Sequence, residues 1–117
     1  MPIVTITALA AEPQVVREVL ARVVTDVSAA LACPAQDVWA SFVPATAQHV
    51  GDRPVGARDQ SPIVLIHGRT RTAEAVAAAL TAAAHAVATG LNVALEDVWL
   101  QWLEVTPGTV FAGGAVL

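Results

Sequence analysis

Hydrophobic residues recur along this chain with two alternating periods, and each period predicts one kind of element. Residues 2–9 are rich in isoleucine, valine and threonine, which indicates a strand. From Pro13 onward, apolar residues return at helical spacing until Pro34, which is expected to end the helix. The predicted buried stripe of this helix consists of Val16, Leu20, Val23, Val27 and Leu31. A second strand is predicted over residues 38–43.

The same order of elements returns 60 positions later in the chain. Residues 63–68 are predicted to form a strand, and Thr72 is a suitable N-cap with Glu74 in the first helical turn. Gly90 is expected near the end of this helix. The predicted buried stripe consists of Val76, Leu80, Val87 and Leu91. Residues 98–105 are predicted to form the fourth strand.

The two halves also share local motifs. Pro2 opens Pro-Ile-Val-Thr-Ile and Pro62 opens Pro-Ile-Val-Leu-Ile, while Asp37-Val38-Trp39 matches Asp97-Val98-Trp99. A repeat at a fixed offset indicates tandem structural units. We therefore predict two similar strand–helix–strand units within one domain.

The unit boundaries follow from this repeat. The chain of 117 residues is interpreted as a single domain with repeats at residues 2–44 and 62–105. Residues 45–61 form a linker with room for a short hairpin, and residues 106–117 form a turn and a short strand. Each crossover is long enough for parallel pairing within its unit. The predicted fold is α/β (α+β), with a four-stranded mixed sheet and two helices on one face.

Composition adds an expectation about assembly. Apolar residues make up 56% of the chain and charged residues only 14%, whereas about 25% charged is usual for soluble domains. The strands are apolar on both faces, but two helices cover only one face. We therefore expect a homo-oligomer in which partner subunits cover the second face.

Several classes of function are disfavoured. The net charge is −4 and there is no lysine, which argues against a nucleic-acid partner. Cys33 is the only cysteine, and the histidines show no ligand spacing, so neither a disulfide, a metal nor a cofactor is predicted. The apolar run over residues 75–84 is short and contains Thr81, which favours a buried helix over a membrane span. Without a basic N-terminal region, a cytoplasmic location is expected.

The candidate chemistry lies at the end of the third strand, in Ile66-His67-Gly68-Arg69-Thr70-Arg71. Two arginines before a helix N-terminus favour an anion, whereas the matching positions in the first unit are Leu9 and Ala11. A pseudo-twofold axis would make the first and third strands antiparallel. That arrangement would bring Pro2 beside Arg69 and Arg71.

Pro2 differs chemically from Pro62. If Met1 is removed, Pro2 carries a free secondary amine, whereas Pro62 is always an ordinary amide. Nearby cations and an apolar surrounding both disfavour protonation of an amine and would lower its pKa. A pKa near neutrality suits a general base or acid.

Pro2-Ile-Val-Thr-Ile, the doubled unit and the paired arginines resemble the tautomerase superfamily. The whole chain resembles two fused subunits of 4-oxalocrotonate tautomerase. Arg69-Thr70-Arg71-Thr72 and Pro34-Ala35-Gln36-Asp37 also resemble malonate semialdehyde decarboxylase. The resemblance implies a β-α-β fold, a homotrimer of fused chains, a catalytic Pro2 amine and arginines that bind a substrate carboxylate. It also places Phe111 at the pocket wall.

The chain departs from the family pattern at three places. Ala10-Ala11-Glu12 stand where single-unit tautomerases carry an arginine after the first strand. Trp39 and Trp99 replace a second arginine in the strand after the helix. The chain has no tyrosine, and Gln101 stands near the position of the tyrosine used by some dehalogenase relatives.

The main hypothesis is a keto–enol tautomerase acting on a small 2-oxo acid. Pro2 would be the general base, while Arg69 and Arg71 hold the carboxylate and stabilise the enolate oxygen. Trp39 and Phe111 would supply an apolar wall.

Two alternatives remain. A decarboxylase or hydratase would use protonated Pro2 with Asp37 activating water, although Asp97 at the matching position suggests a structural role for both carboxylates. A retained Met1 would leave Pro2 without a free amine, and the fold would then be a non-catalytic binding module.

Overall fold

Each unit folds as strand, helix and strand, and the computed structural model describes all 117 residues. The first unit contains β1 Ile3–Leu9, α1 Pro13–Leu31, a 3-10 turn Ala35–Asp37 and β2 Trp39–Ala45. The linker forms β3 His49–Val50 and β4 Arg53–Pro54. The second unit contains β5 Ile63–Gly68, α2 Ala73–Leu91, a 3-10 turn Leu95–Asp97 and β6 Trp99–Glu104. The chain ends with β7 Phe111–Ala112 and β8 Ala115–Val116.

The four long strands form one mixed sheet in the order β2-β1-β5-β6. Pairing is parallel within each unit and antiparallel between β1 and β5, where Ile3 lies opposite His67. The remaining strands form two hairpins, β3 with β4 and β7 with β8. The predicted fold class is therefore confirmed, including the antiparallel contact between the two units.

The helices bury a slightly different stripe from the one that the spacing predicted. Val19, Val23 and Val27 of α1 are at most 1% exposed, as are Ala79, Ala83, Ala86 and Val87 of α2. In contrast, Val16, Leu20, Val76 and Leu80 are only half-buried. The reason is that α1 and α2 pack against each other as well as against the sheet, so the buried stripe faces both. Small alanines on α2 permit this close approach.

Gly90 lies near the end of α2, as expected, immediately before the last helical residue Leu91. The chain leaves the helix at Asn92, whose φ of 55° is left-handed. A Cβ atom on Gly90 would overlap Cγ2 of Val19 on α1. The glycine therefore serves helix–helix packing rather than helix termination. At the other end, Thr72 Oγ1 accepts a hydrogen bond from the Ala75 N–H at 3.1 Å, as an N-cap should.

The sheet face opposite the helices is open and largely apolar. Trp39 and Trp99 are each 52% exposed there, and Val43 and Ile63 are also exposed. These side chains belong to the strand positions that alternate with the buried core positions. Exposed apolar surface of this kind marks an interaction surface.

Helix α2 is long and apolar enough to cross a membrane, with 19 residues and a mean hydropathy of 1.3. These two properties are also found in core helices of folded domains. In this structure α2 packs along α1, and Ala79, Ala83 and Val87 join the hydrophobic core.

Gln48 joins the two ends of the linker, and Gln60 binds the linker to β1. Gln48 accepts a hydrogen bond from the Ser61 N–H at 2.8 Å and donates one to the Ser61 carbonyl at 2.7 Å. Gln60, only 3% exposed, accepts from the Leu9 N–H at 2.8 Å and donates to the Ala57 carbonyl at 3.0 Å. The linker therefore ends β1 with side-chain hydrogen bonds where the strand pairing stops.

Asp59 organises the exposed part of the linker. Its carboxylate accepts a hydrogen bond from the Gly56 N–H at 2.7 Å and one from Arg53 Nη1 at 2.7 Å. The Gly56 N–H, followed by the Arg53 side chain, lowers the pKa of Asp59 below its ordinary value.

Candidate active site

The antiparallel pairing of β1 with β5 brings the start of the chain to the end of β5. Ile3 lies opposite His67, so the register continues with Met1 level with Arg69. We call this place the terminal corner: residues 1–3, Trp39 and residues 67–70. It adjoins a cavity of about 530 Å³ on the helix-free side of the sheet. The cavity is lined by Met1, Ile3, Trp39, His67, Arg69, Thr70, Val105, Pro107, Val110, Phe111, Ala112 and Leu117.

The proline ring at position 2 is fully buried, whereas Met1 lies along the cavity wall. The Pro2 carbonyl accepts a hydrogen bond from the Trp39 N–H at 3.0 Å, which fixes the start of β1 beside β2. Because the Met1 carbonyl carbon is bonded to the Pro2 nitrogen, that nitrogen lies directly behind Met1. Pro2 itself is not among the residues that line the cavity, whereas its neighbours Met1 and Ile3 are.

Arg69 is the only cationic side chain that lines the cavity. The one ion pair of the structure joins Arg53 to Asp59, so Arg69 has no carboxylate partner within the chain. Its neighbour Thr70 donates a hydrogen bond to the Glu104 carboxylate at the end of β6. An unpaired guanidinium beside apolar walls is suited to binding the carboxylate of a small molecule.

Arg71 occupies a different environment from Arg69. Its Nη1 donates a hydrogen bond at 3.0 Å to the carbonyl of Leu31, the last residue of α1. Arg71 is half-buried and is not among the residues that line the cavity. The structure thus brings Arg69, Trp39 and Phe111 to one cavity beside Pro2, and it directs Arg71 toward a helix end.

Asp37 lies at the end of the 3-10 turn before β2 and is exposed. Its backbone N–H donates to the Pro34 carbonyl at 3.0 Å, which closes that turn. Asp37 does not line the cavity, and Asp97 closes the matching turn of the second unit by donating to the Ala94 carbonyl at 3.1 Å. Both aspartates therefore have a structural position at the entry of a strand.

No protein-family model matches the sequence, and no curated protein matches it, but solved structures match over almost the whole chain. The R7 fused 4-OT wild type, an asymmetric trimer, superposes with a TM-score of 0.89 at 14% identity, covering 97% of this chain and 94% of that chain. Macrophage migration inhibitory factor of Toxoplasma gondii gives 0.83 at 16% identity, covering 98% and 99%. Pt0534 inactivated by 2-oxo-3-pentynoate gives 0.78 at 16% identity, covering 97% and 94%.

The chain has the tautomerase-superfamily fold. The resemblance stated from the motifs is therefore confirmed at the level of the fold. At identities of 14% to 16%, these structural matches do not themselves transfer an activity or a residue role.

Within this tautomerase fold, sequence reasoning missed part of the cavity lining. No role at the site was predicted for His67, yet it is half-buried and lines the cavity. Its place in β5 alternates with buried Ile66 and Gly68, which is a pattern that indicates the helix-free face. One side of the cavity is formed by the C-terminal segment, through Val105, Pro107, Val110 and Leu117. No sequence motif predicted that these residues would come together, because their placement depends on how the terminal hairpin folds.

The opposite end of the same tautomerase sheet forms what we call the linker corner: Leu9, Gln48, residues 60–63 and residues 96–99. A second cavity of about 550 Å³ opens there. Ser61, Ile63 and Trp99 occupy the places that Met1, Ile3 and Trp39 occupy at the terminal corner. Glu96 and Asp97 also line it, and no arginine does.

Close packing also distinguishes the terminal corner. Gly68 ends β5 immediately before Arg69, and a Cβ atom on Gly68 would overlap the ring of Trp102. The matching residue in the first unit is Ala8, which is buried, and the smaller Phe42 stands at the position that matches Trp102. The glycine lets the larger ring of Trp102 pack under the strand end that carries Arg69.

Proposed function

We propose that this protein is a cofactor-independent enzyme, a keto–enol tautomerase that acts on a small 2-oxo acid. Pro2 is the general base, Arg69 binds the substrate carboxylate, and Trp39 and Phe111 form the apolar wall. The proposal requires removal of Met1, because only then does Pro2 carry a free amine.

The observation that carries the proposal is the antiparallel pairing of β1 with β5. This pairing brings Met1, which is bonded to the Pro2 nitrogen, to the cavity that Arg69 lines, and this supports Pro2 as the base. Neither group is unusual alone, but a base and an unpaired cation beside one apolar cavity are the two groups that proton transfer on a 2-oxo acid needs.

In the proposed reaction, the Arg69 guanidinium binds the carboxylate and orients the carbonyl carbon toward Pro2. The neutral Pro2 amine removes a proton from the carbon next to the carbonyl, and the electron pair moves to the carbonyl oxygen. Arg69 stabilises the enolate that develops, and transfer of the proton from the Pro2 ammonium to the enolate oxygen, directly or through water, gives the enol and regenerates the neutral amine. In the reverse direction Pro2 takes the proton from the enol oxygen and returns it to carbon, without any redox step.

The cavity favours a substrate with one carboxylate and an apolar tail. Only Arg69 supplies a permanent positive charge to the lining, and most of the other lining residues are apolar. A second carboxylate would meet Trp39, Val110 or Phe111 without a cation to balance it. The inactivation of Pt0534 by 2-oxo-3-pentynoate, a small 2-oxo acid with one carboxylate, supports this substrate class.

We also propose that the enzyme is a homotrimer. The helix-free face exposes Trp39, Val43, Ile63 and Trp99, and burial of such a face is the main driving force for association. The R7 fused 4-OT is a trimer with the same fold, which supports a trimer here. In such an assembly, neighbouring subunits would cover the apolar face beside each cavity.

The alternative lyase reaction gains no support from the geometry of this chain, because Asp37 is exposed and does not line the cavity. The non-catalytic alternative depends on Met1. A retained Met1 would occupy the cavity wall and would bind the Pro2 nitrogen in an amide.

The test compares two forms of the protein in the ketonisation of phenylenolpyruvate. The first form lacks Met1, as verified by intact mass, and the second carries an uncleaved glycine-serine extension before Pro2. General-base catalysis contributes about 10²- to 10⁴-fold, and we expect at least the lower value to be lost on extension. Equal kcat/KM for both forms would eliminate the Pro2 amine from the mechanism.

A further inference from the structure

The segment between β5 and α2, which we call the arginine loop (residues 68–72), is held at every residue except Arg69. The Gly68 carbonyl accepts from the Val105 N–H at 2.7 Å, and Thr70 bonds to Glu104. Arg71 donates to the Leu31 carbonyl, and Thr72 caps α2. The arginine loop therefore ties together the end of β6, the end of α1 and the start of α2, with Arg69 projecting from its middle.

The contact of Arg71 has a clear physical basis. The last carbonyls of a helix lack partners within the helix and carry partial negative charge, so a guanidinium is well placed there. With Arg71 in place Leu31 is only 5% exposed, and its carbonyl accepts a hydrogen bond from Arg71. In the matching place of the other unit, Ala11 stands near the end of α2 and has no side chain to make this bond.

We propose that Arg71 is a positioning residue that acts through Arg69, and not a second ligand of the substrate carboxylate. This inference rests on the proposed function of the terminal corner. By anchoring the arginine loop to α1, Arg71 holds the backbone of Arg69 where its guanidinium reaches the cavity. The expectation from sequence, that both arginines bind the carboxylate, is the alternative that the experiment below separates from this one.

A double-mutant cycle tests the proposal directly. Arg69→Ala, Arg71→Ala and the double variant are compared by kcat/KM for phenylenolpyruvate and by Kd for 3-phenylpropionate, followed by tryptophan fluorescence. If Arg71 acts through Arg69, Arg71→Ala should lower kcat/KM and raise Kd by about tenfold each in the wild-type background. In the Arg69→Ala background, the same substitution should change each constant by less than about twofold. Strong non-additivity of this kind is typical of residues that act as a unit.

Arg71→Lys supplies the matched control, because a lysine ammonium can donate to the same carbonyl while lacking the planar fork that grips a carboxylate in two places. We expect Arg71→Lys to restore most of the wild-type affinity and the wild-type melting temperature. If Arg71→Ala does not fold, the lysine variant still decides: loss of 3-phenylpropionate affinity in a fully folded Arg71→Lys protein would overturn the proposal.

Two further results would also overturn it. One is an equal loss from Arg71→Ala in both backgrounds, which would mean that Arg71 contacts the ligand itself. The other is a Kd and a kcat/KM that do not change in Arg71→Ala. Failure of 3-phenylpropionate to bind the wild-type protein would overturn the proposal as well. Absence of turnover with intact 3-phenylpropionate binding would count against the proposed tautomerase activity alone, because the Kd cycle measures positioning without catalysis.

Discussion

The terminal corner and the linker corner use the same strand pairing, yet they end in different chemistry. At the terminal corner, the start of β1 meets Arg69 beside an apolar cavity. At the linker corner, the start of β5 meets Leu9, and the buried side chain of Gln60 binds the Leu9 N–H. Glu96 and Asp97 line the linker corner, whereas no acidic side chain lines the terminal cavity.

This difference separates what the fold supplies from what individual residues supply. The fold gives each corner a proline at the start of a strand, a tryptophan on the neighbouring strand and a cavity of similar volume. A removable residue before the proline and an arginine opposite it occur at one corner only. The strand arrangement and the cavity therefore occur twice in this molecule, whereas the proposed catalytic groups occur once.

The largest contrast should come from the two prolines. Pro2→Ala should lower kcat/KM for phenylenolpyruvate by roughly 100-fold or more, because the ring amine proposed as the base is lost. Pro62→Ala should leave kcat/KM within about twofold, since Pro62 only begins a strand. Steady-state ketonisation rates measure both effects, with intact mass confirming that position 2 is N-terminal in each protein. Equal losses would show that the prolines serve the fold alone.

Arg69 should give the next largest effect. Arg69→Ala should raise KM and lower kcat/KM by roughly 10- to 100-fold, as expected for loss of a hydrogen bond to a charged group. Removal of the guanidinium should also raise the pKa of the Pro2 amine, because a nearby positive charge disfavours the protonated form. The limb of the pH–rate profile that reports deprotonation of the amine should therefore move to higher pH.

The matched control for this prediction is Leu9→Ala at the linker corner, where the residue equivalent to Arg69 is apolar. Its pH–rate profile should coincide with that of the wild type. A limb that stays in place in Arg69→Ala would mean that Arg69 lies too far from Pro2 to influence its amine.

The smallest effect should come from the linker corner and should concern stability alone. Gln60→Ala leaves the Leu9 N–H and the Ala57 carbonyl without their side-chain partner, which should cost about 1–3 kcal/mol in the free energy of unfolding. Urea unfolding measures this loss, with exposed Gln36→Ala as the unaffected control. Tautomerase activity under native conditions should not change. A large loss of activity in Gln60→Ala would instead connect the linker corner to catalysis.

Periodicity and the repeat were sufficient to predict most of the fold. The four long strands, both helices and the antiparallel contact of the two units all followed from residues 60 positions apart. The Thr72 cap also followed, because N-capping depends on local sequence. What local sequence did not reveal was the contact partner of each helix. Gly90 lies near the end of α2 as expected, but its close contact with Val19 of α1 was not predicted.

The candidate site was less predictable than the fold. Arg69, Trp39 and Phe111 were identified from position and resemblance, and they line one cavity. The direction of Arg71 was not predictable, because the Leu31 carbonyl that receives it is 40 residues away and has no side-chain signature. The C-terminal side of the cavity was not predictable either, because it depends on how residues 106–117 fold back on themselves. This fold is held by a hydrogen bond from the Leu117 N–H to the Val110 carbonyl at 2.8 Å.

A polypeptide has one amino terminus however many times its units are duplicated. The antiparallel strands β1 and β5 each begin with a proline at one corner of the sheet. Only Pro2 can become a chain terminus, because Pro62 is bonded to Ser61 within the chain. A chain of two fused units therefore has one terminal amine, whereas two separate units would have two. At the linker corner, the position that matches Arg69 is Leu9, and its backbone N–H donates a hydrogen bond to the buried amide of Gln60. The corner that cannot carry the terminus is therefore closed by a bond of the fold itself.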